Sequence, residues 1–374
     1  MKIGFDAKRA FFNNSGLGNY SRWFIEALTT LHPEHQYLLY KPRKDKGTYF
    51  RGLQHCKVIR PQSAYYKALP DMWRTYGMSK EIKKQGLDIF HGLSHELPVG
   101  IAKTNVKSIV TMHDAIFLRF PHLFDRTYRT IFKLKYKHAL NMANGVIAIS
   151  QQSKDDIVHY FGTHPDRIKV IYQGCNPIYY NKAEDALKKQ IKSKYQLPDN
   201  YILYVGTIEP RKNLLGIFEA LVQEGIDMPV VAIGRPTKYL DDIKRFIKHH
   251  NIESKAIFLH NLETPELPAI YQMATLFAYP SIFEGFGIPI LEAMNSGTPV
   301  ITSKGSCFPE VGGEAARYAK YGDTEELGQL IKSILGSSML QSDMAIKGRQ
   351  QALKFREEKV TKDLIDYYKN ILTH

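Results

Sequence analysis

Glu284 and Glu292 stand eight residues apart, on either side of a Gly-Phe-Gly turn, in the stretch "FEGFGIPILEAMNSGTPVI" (283–301). Pro289 suits a first helical position and Gly297 a left-handed C-terminal cap, so the spacing predicts a helix over 288–296 and a buried strand in "TPVIT". Phe286, Gly287 and Ile288 would then offer backbone amides at a helix N-terminus, which carries about half a positive charge and binds phosphate readily. A carboxylate accepts paired hydrogen bonds from a vicinal diol, so Glu292 could hold a ribose. Glu284 could hold sugar hydroxyls or sit near a reacting centre. Each Glu could also simply favour the helix N-terminus electrostatically, but that leaves the Gly-Phe-Gly turn unexplained.

A second stretch, "YVGTIEPRKNLLGIFEAL" (204–221), runs from a strand through Gly206 to a helix with Asn213 as its cap. Arg211 and Lys212 come just before that helix. A bidentate guanidinium and a point-charge ammonium suit a diphosphate, and a solvated basic turn is the plainer alternative. In the first half, "NNSGLGNYSRW" (13–23) places Gly16 and Gly18 where a backbone could approach a phosphate or a sugar, or merely turn tightly. His113, in "SIVTMHDAIF" (108–117), stands where a strand should end. It could exchange a proton near neutral pH, hydrogen-bond a substrate hydroxyl, or just cap the next segment.

These residues all sit at strand ends. In the first half, strands are expected at "KIGFDA", "QYLLYK", "KVIR", "DIFHG", "SIVTMH", "GVIAIS" and "RIKVIY", with helices near 18–30, 70–84, 126–142 and 151–161. In the second, strands are expected at "YILYVG", "PVVAIG", "AIFLHN", "TLFAYP" and "TPVITS", with helices at 213–223, 239–250, 265–274 and 288–296 and more from 324; Thr264 would cap the third of these. Strand–helix alternation with short connections means parallel sheets covered by helices. The 374 residues exceed one ordinary core. A polar stretch over 176–200 separates two such halves, and the expected domains are 1–178 and 179–355, with ligands beyond the carboxyl ends of the strands.

Three cysteines, Cys56, Cys175 and Cys307, give neither a disulfide framework nor a zinc spacing. No run reaches the roughly 20 apolar residues of a membrane helix, and the start "MKIGFDAKRA" has no apolar signal core, so a cytoplasmic protein is expected. The net charge of +14 is uneven. Residues 1–180 hold 27 Lys and Arg against 13 Asp and Glu, while the remaining 24 and 24 balance. "YYKALPDMWRTYGMSKEIKK" (65–84) and "RTYRTIFKLKYKHA" (126–139) mix this charge with aromatic and apolar residues. Such a surface can bind nucleic acid, lie against an anionic membrane or be a solvated helix face.

Taken together, "SGLGNYS", "MHDA", "GTIEPRKN" and "FEGFGIPILEAMNSGTPVI" resemble the retaining nucleotide-sugar glycosyltransferases of family 4. "ELPAIYQMATLFAYPS" (266–281) and the ending "FREEKVTKDLIDYYKNIL" (355–372) extend the likeness over nearly the whole chain. The resemblance implies an α/β protein of GT-B fold. It would have two Rossmann-like domains with parallel sheets facing across a cleft, and a last helix, about 356–374, crossing back to the first domain. It also implies that Arg211 and Lys212 neutralise a diphosphate leaving group and that the amides of Phe286, Gly287 and Ile288 hold the donor. Glu292 would take the ribose and Glu284 the transferred sugar, Gly206 would end the donor-side strand, Gly16 and Gly18 would approach the diphosphate, and His113 would stand by the sugar and acceptor. No Asp-x-Asp ends a strand, so neither metal nor cofactor is expected.

The implied partners are a nucleotide-sugar donor, GDP-mannose or alternatively a UDP-hexose, and a glycan or lipid-linked acceptor of surface polysaccharide biosynthesis. Arg235, Pro236, Asn261 and Leu267 are the positions expected near the donor base. Peripheral contact with the inner face of an anionic membrane is expected of the basic first half. Nucleic-acid binding is kept only as the alternative from another class, because it would not explain phosphate-site motifs in the uncharged half.

Overall fold

The computed structural model describes every residue except 45–49, 51, 52, 54, 261 and 374. Its strands are short apolar runs, the pattern of strands buried on both faces by helices. One sheet holds β1 (Lys2–Asp6), β2 (Gln36–Tyr40), β3 (Cys56–Ile59), β4 (Ile89–Gly92), β5 (Lys107–Met112), β6 (Gly145–Ala148) and β7 (Ile168–Val170). The other holds β8 (Ile202–Val205), β9 (Val230–Ile233), β10 (Ala256–Leu259), β11 (Leu276–Tyr279), β12 (Val300–Ser303) and β13 (Ala316–Ala319). The strand orders are β3-β2-β1-β4-β5-β6-β7 and β10-β9-β8-β11-β12-β13. Every pairing is parallel.

In each sheet the chain builds outward on one side and then returns to build on the other. The order therefore reverses between β1 and β4, and between β8 and β11. Loops leaving such a pair diverge and open a crevice at the carboxyl ends of the strands. Phe5 pairs with His91 in the first sheet, and Ile202 and Leu203 pair with Leu276 and Phe277 in the second. This register brings the segments after Val205 and Tyr279 side by side.

The chain divides into two compact units, Met1–Gly174 with Phe355–His374, and Cys175–Lys354. The expected division after 178 falls four residues late. Tyr179 packs edge-on against Tyr271 at 5.6 Å, which anchors the approach to β8 in the second unit. The polar stretch expected as the break contains a helix, Asp185–Tyr195, whose Ile191 is buried. The last helix, Glu357–Thr373, packs on the first unit: Tyr368 Oη meets His91 Nδ1 at 2.6 Å and Thr361 Oγ1 meets His32 Nε2 at 3.2 Å.

Two further expectations need correction, and two elements were not expected. The helix expected over 70–84 is helical throughout, as Pro70–Met72, a π turn Trp73–Gly77 and Met78–Gln85, but it is not one regular α-helix, and a separate short helix, Ala64–Ala68, precedes it. Pro70 cannot continue a helix, and the wider turn accommodates the inward-drawn side chain of Arg74. Glu263, not Thr264, caps the turn before Leu267–Met273, through a reciprocal capping box with Glu266. The four-residue strand β13, Ala-Arg-Tyr-Ala, and the five-residue helix Lys8–Phe12 carry too little apolar periodicity to be read in advance.

Candidate active site

Gly206 ends β8 at φ +155°, a conformation an L side chain rarely adopts. A Cβ there would come within 3.1 Å of Lys212 Nζ, so the glycine leaves room for that ammonium over the strand end. The chain then makes a 3-10 turn, Pro210–Lys212, and Asn213 reverses it in a left-handed conformation (φ 54°, ψ 42°). Asn tolerates that region better than most residues. Asn213 therefore occupies the cap position of Leu214–Gln223, but its side chain makes no capping hydrogen bond.

The turn delivers both cations to the segment following β11. Arg211 Nη1 lies 2.9 Å from Glu284 Oε1 and donates to the Phe283 carbonyl, while Nη2 donates to Glu209 Oε1 at 2.6 Å. Lys212 Nζ lies 3.6 Å from the same Glu284 oxygen and donates to Tyr279 Oη at 2.9 Å. Tyr279 Oη and Ser281 Oγ donate to that oxygen at 2.7 and 3.2 Å. Side-chain exposure is only 16% for Arg211, 14% for Lys212 and 17% for Glu284. Burial pushes the Glu284 carboxyl upward, but Lys212 and Arg211 outweigh it and hold the net value below the usual carboxylate range. All these contacts use Oε1. Oε2 has no protein partner among the described residues.

The helix Ile288–Ser296 starts and stops where its sequence predicts. Gly287 caps it at φ 106° and Gly297 ends it at φ 77°. The N–H groups of Gly287 and Ile288 donate to no protein acceptor among the described residues. The Phe286 ring is buried, and its carbonyl accepts from Cys307 Sγ at 2.8 Å. Glu292, one turn in, accepts from Tyr271 Oη at 2.9 Å. Burial raises its pKa to about 7, against the lowering effect of hydrogen bonds from Tyr271 and Tyr179. The two carboxylates thus differ in character: Glu284 is ionised by cations, and Glu292 is tuned by desolvation.

The second unit therefore gathers Gly206, Arg211, Lys212, Glu284, Phe286, Gly287, Ile288 and Glu292 around one switch point. Tyr279, Ser281, Glu209, Tyr271 and Tyr179 complete the arrangement and were missed in the sequence. Tyr279 was the findable one, as the last residue of a strand just before the Glu pair. Arg235 follows β9, and its carbonyl accepts from Ile208 N–H at 2.9 Å. Asn261 lies outside the described residues.

Gly16, Gly18 and His113 belong to the first unit. Gly16 opens the helix Gly16–Leu31, so the glycine pair lies in a first helical turn and not in a loop before it. A Cβ on Gly18 would fall 1.9 Å from the Asn13 carbonyl oxygen, whereas one on Gly16 would meet nothing within 4 Å. His113 is buried, and its Nε2–H donates to the Leu93 carbonyl at 2.8 Å. Burial lowers its pKa to about 4, so the expectation of proton exchange near neutral pH is corrected. The ring is neutral there, and Nδ1 is the nitrogen left as an acceptor.

Two family models match the chain: Glycosyltransferase Family 4 over residues 15–178 and Glycosyl transferases group 1 over 186–351. O-antigen chain mannosyltransferase B of Escherichia coli is 29% identical, over 99% of this chain and 100% of that protein. O-antigen chain mannosyltransferase RfbU of Salmonella typhimurium is 27% identical, over 86% and 88%. Among solved structures, sucrose-phosphate synthase from Thermosynechococcus elongatus superposes with a TM-score of 0.81 at 19% identity, covering 100% of this chain and 99% of that one. Anabaena Alr3699/HepE in complex with UDP-glucose gives 0.75 at 18% identity, covering 99% and 100%. The chain belongs to the family 4-like glycosyltransferases and has their GT-B fold.

Proposed function

We infer that this glycosyltransferase moves a hexose from a nucleotide-sugar donor to a glycan or lipid-linked acceptor in surface polysaccharide biosynthesis, with retention of configuration and without a metal ion. One observation carries the reading. Two largely buried cations converge on Glu284, and the N–H groups of Gly287 and Ile288 that follow it donate to no protein acceptor among the described residues.

An arriving diphosphate would draw Arg211 and Lys212 toward its oxygens, and the helix end would face the same charge. Glu284, with Oε2 unengaged, would take hydroxyls of the transferred sugar, and Glu292 the ribose diol. As the bond from the anomeric carbon to phosphate oxygen breaks, negative charge grows on the leaving diphosphate. Donors already aimed there stabilise the transition state more than the ground state. The acceptor oxygen bonds the anomeric carbon on the same face, and its proton passes to the departing phosphate. His113, neutral at pH 7, would contribute a hydrogen-bond acceptor and not a proton.

Mannose is the transferred sugar favoured by the names of the two relatives, with GDP-mannose as the donor we propose for it, and a UDP-hexose is the alternative favoured by the UDP-glucose complex. Contact with an anionic membrane is supported by exposed Tyr65, Leu69, Met72 and Tyr76 on one basic segment, and by Tyr128, Ile131 and Leu134 on the other. Among the described residues no helix is long and apolar enough to cross a membrane. Salt-sensitive binding to anionic vesicles is the expected outcome, and salt-insensitive binding would remove that part of the reading.

A thermal-shift panel of nucleoside diphosphates tests the donor site. A bound nucleotide at a hundred times its dissociation constant adds about 2.7 kcal/mol of stability. GDP is expected to exceed UDP, and no response to any of them would end the reading. Transfer undiminished by EDTA, and an anomeric NMR signal matching the donor's configuration, are the expected mechanistic results.

A further inference from the structure

Tyr279 closes β11, and its hydroxyl stands between the opposite charges of the second unit's site. The side chain is buried. Its ring stacks along Phe277 with centroids 5.8 Å apart and meets Phe308 edge-on at 6.4 Å, while Thr302 Oγ1 on β12 donates to its carbonyl at 2.8 Å. Ring and main chain are both held, so the hydroxyl is fixed in place.

The direction of its hydrogen bonds follows from the partners. An ammonium only donates, so Tyr279 Oη accepts from Lys212 Nζ at 2.9 Å and its own proton goes to Glu284 Oε1 at 2.7 Å. Burial, with the Glu284 charge beside it, holds the phenol well above its usual pKa, so that proton stays in place. In a buried chain of donors such as Lys212 to Tyr279 to Glu284, each link polarises the next. Ser281 is the other neutral donor to Oε1, but its single proton faces three acceptors. They are Glu284 Oε1 at 3.2 Å and the carbonyls of Arg211 and Phe283, each at 3.3 Å.

Two charged and two neutral groups thus crowd Oε1, Tyr279 the nearest of them, and Oε2 has no protein partner among the described residues. On the reading above, the charged pair turns to the diphosphate when the donor arrives. Without another anchor, Glu284 would then regain rotamer freedom at the moment it is needed, and ordering it again would cost affinity. Tyr279 cannot follow the phosphate, because its ring is packed into the end of a strand.

We propose that Tyr279 is a positioning residue: its hydroxyl keeps Glu284 Oε1 anchored while Arg211 and Lys212 exchange partners, so that Oε2 stays presented to a hydroxyl of the transferred sugar. The inference rests on the glycosyltransferase reading and adds to it the group that orients the sugar-binding carboxylate.

The test uses the full chain and two ligand pairs, GDP with GDP-mannose and UDP with UDP-glucose, titrated by isothermal calorimetry. Tyr279→Phe removes one oxygen and keeps the ring and its packing. For the pair that the wild type binds more tightly, the ratio of nucleotide-sugar to nucleoside-diphosphate affinity is expected to fall about 10-fold, the effect of losing one hydrogen bond to a charged group. As pH is lowered, the remaining ratio should collapse at a higher pH than in the wild type, since the lost hydroxyl favoured the ionised carboxylate. Ser281→Ala, whose proton is shared, should change the ratio by about 2-fold or less. In a Glu284→Gln background, adding Tyr279→Phe should cost little more, because both changes act on one contact. An unchanged ratio in Tyr279→Phe, equal loss of both affinities, an equally large effect of Ser281→Ala, or full additivity with Glu284→Gln would overturn the proposal. A wild-type chain that binds no nucleoside diphosphate would instead overturn the donor reading, so the two failures are distinct.

Discussion

Arg211 Nη1 and Glu284 Oε1 lie 2.9 Å apart, both largely buried, on segments that leave the two strands flanking the second unit's switch point. In the ligand-free chain the cation proposed for a diphosphate is held by the carboxylate proposed for a sugar. The site is therefore electrically satisfied without a ligand, and on the proposed function donor binding would be an exchange of partners for Arg211 and Lys212.

Arg211→Ala should lower kcat by about 10²–10³, the usual effect of removing one preorganised donor to developing negative charge. It should also destabilise the ligand-free chain by up to about 3 kcal/mol, because Glu284 keeps its burial and loses a partner. Steady-state kinetics and urea denaturation read the two effects. Arg211→Lys should restore much of the stability and little of the rate, since an ammonium cannot span two phosphate oxygens.

Glu292 gives a pH dependence of definite sign. Its folded pKa, raised to about 7 by burial, exceeds its ordinary value of 4.5. Its contribution to stability is full below the unfolded value and is lost as pH rises from about 4.5 through 7, by up to about 3 kcal/mol. Ribose hydroxyls donate better to the ionised form, so donor affinity should rise between pH 6 and 8. Glu292→Gln should flatten both trends in denaturation and nucleotide titrations.

The first unit should respond in the opposite direction. Burial lowers the pKa of His91 to about 3, that of His113 to about 4 and that of His95 well below the ordinary imidazole value, so all three are neutral in the folded chain at pH 7. Each is stabilising above its unfolded value near 6.5 and loses that contribution as pH falls toward the folded one, at up to about 1.4 kcal/mol per pH unit. Acid denaturation is expected to begin below pH 6.5. The pH–rate profile should keep its shape in His113→Asn, because His113 supplies no titration between pH 5 and 8.

Gly206→Ala should weaken nucleoside diphosphate binding by about 10-fold or more, through backbone strain and displacement of the Lys212 ammonium 3.1 Å from the added methyl. Isothermal titration checks this. Unchanged affinity would mean that Lys212 does not need to lie over the strand end.

Much of this molecule was written locally. The helix Ile288–Ser296 needed only Pro289 and Gly297, the helices Arg126–Met142 and Gln151–Phe161 needed only periodicity and caps, and twelve of the strands needed only short apolar runs between turn residues. The pairing of the 206–213 and 284–292 segments was also legible, because strand–helix alternation fixes a switch point and ligands gather there. What the sequence could not settle was the state of each side chain. The number of protons on His113 and Glu292 depends on how much water their surroundings exclude, and that is set by residues distant in the chain. The same holds for Arg74, which reads as one basic residue on a helix and becomes a buried clamp only when Asp6 and Glu96 arrive from β1 and from the loop after β4. Motif spacing is a property of neighbours along the chain, while burial and charge compensation are properties of neighbours in space, and only the folded sheet brings those together.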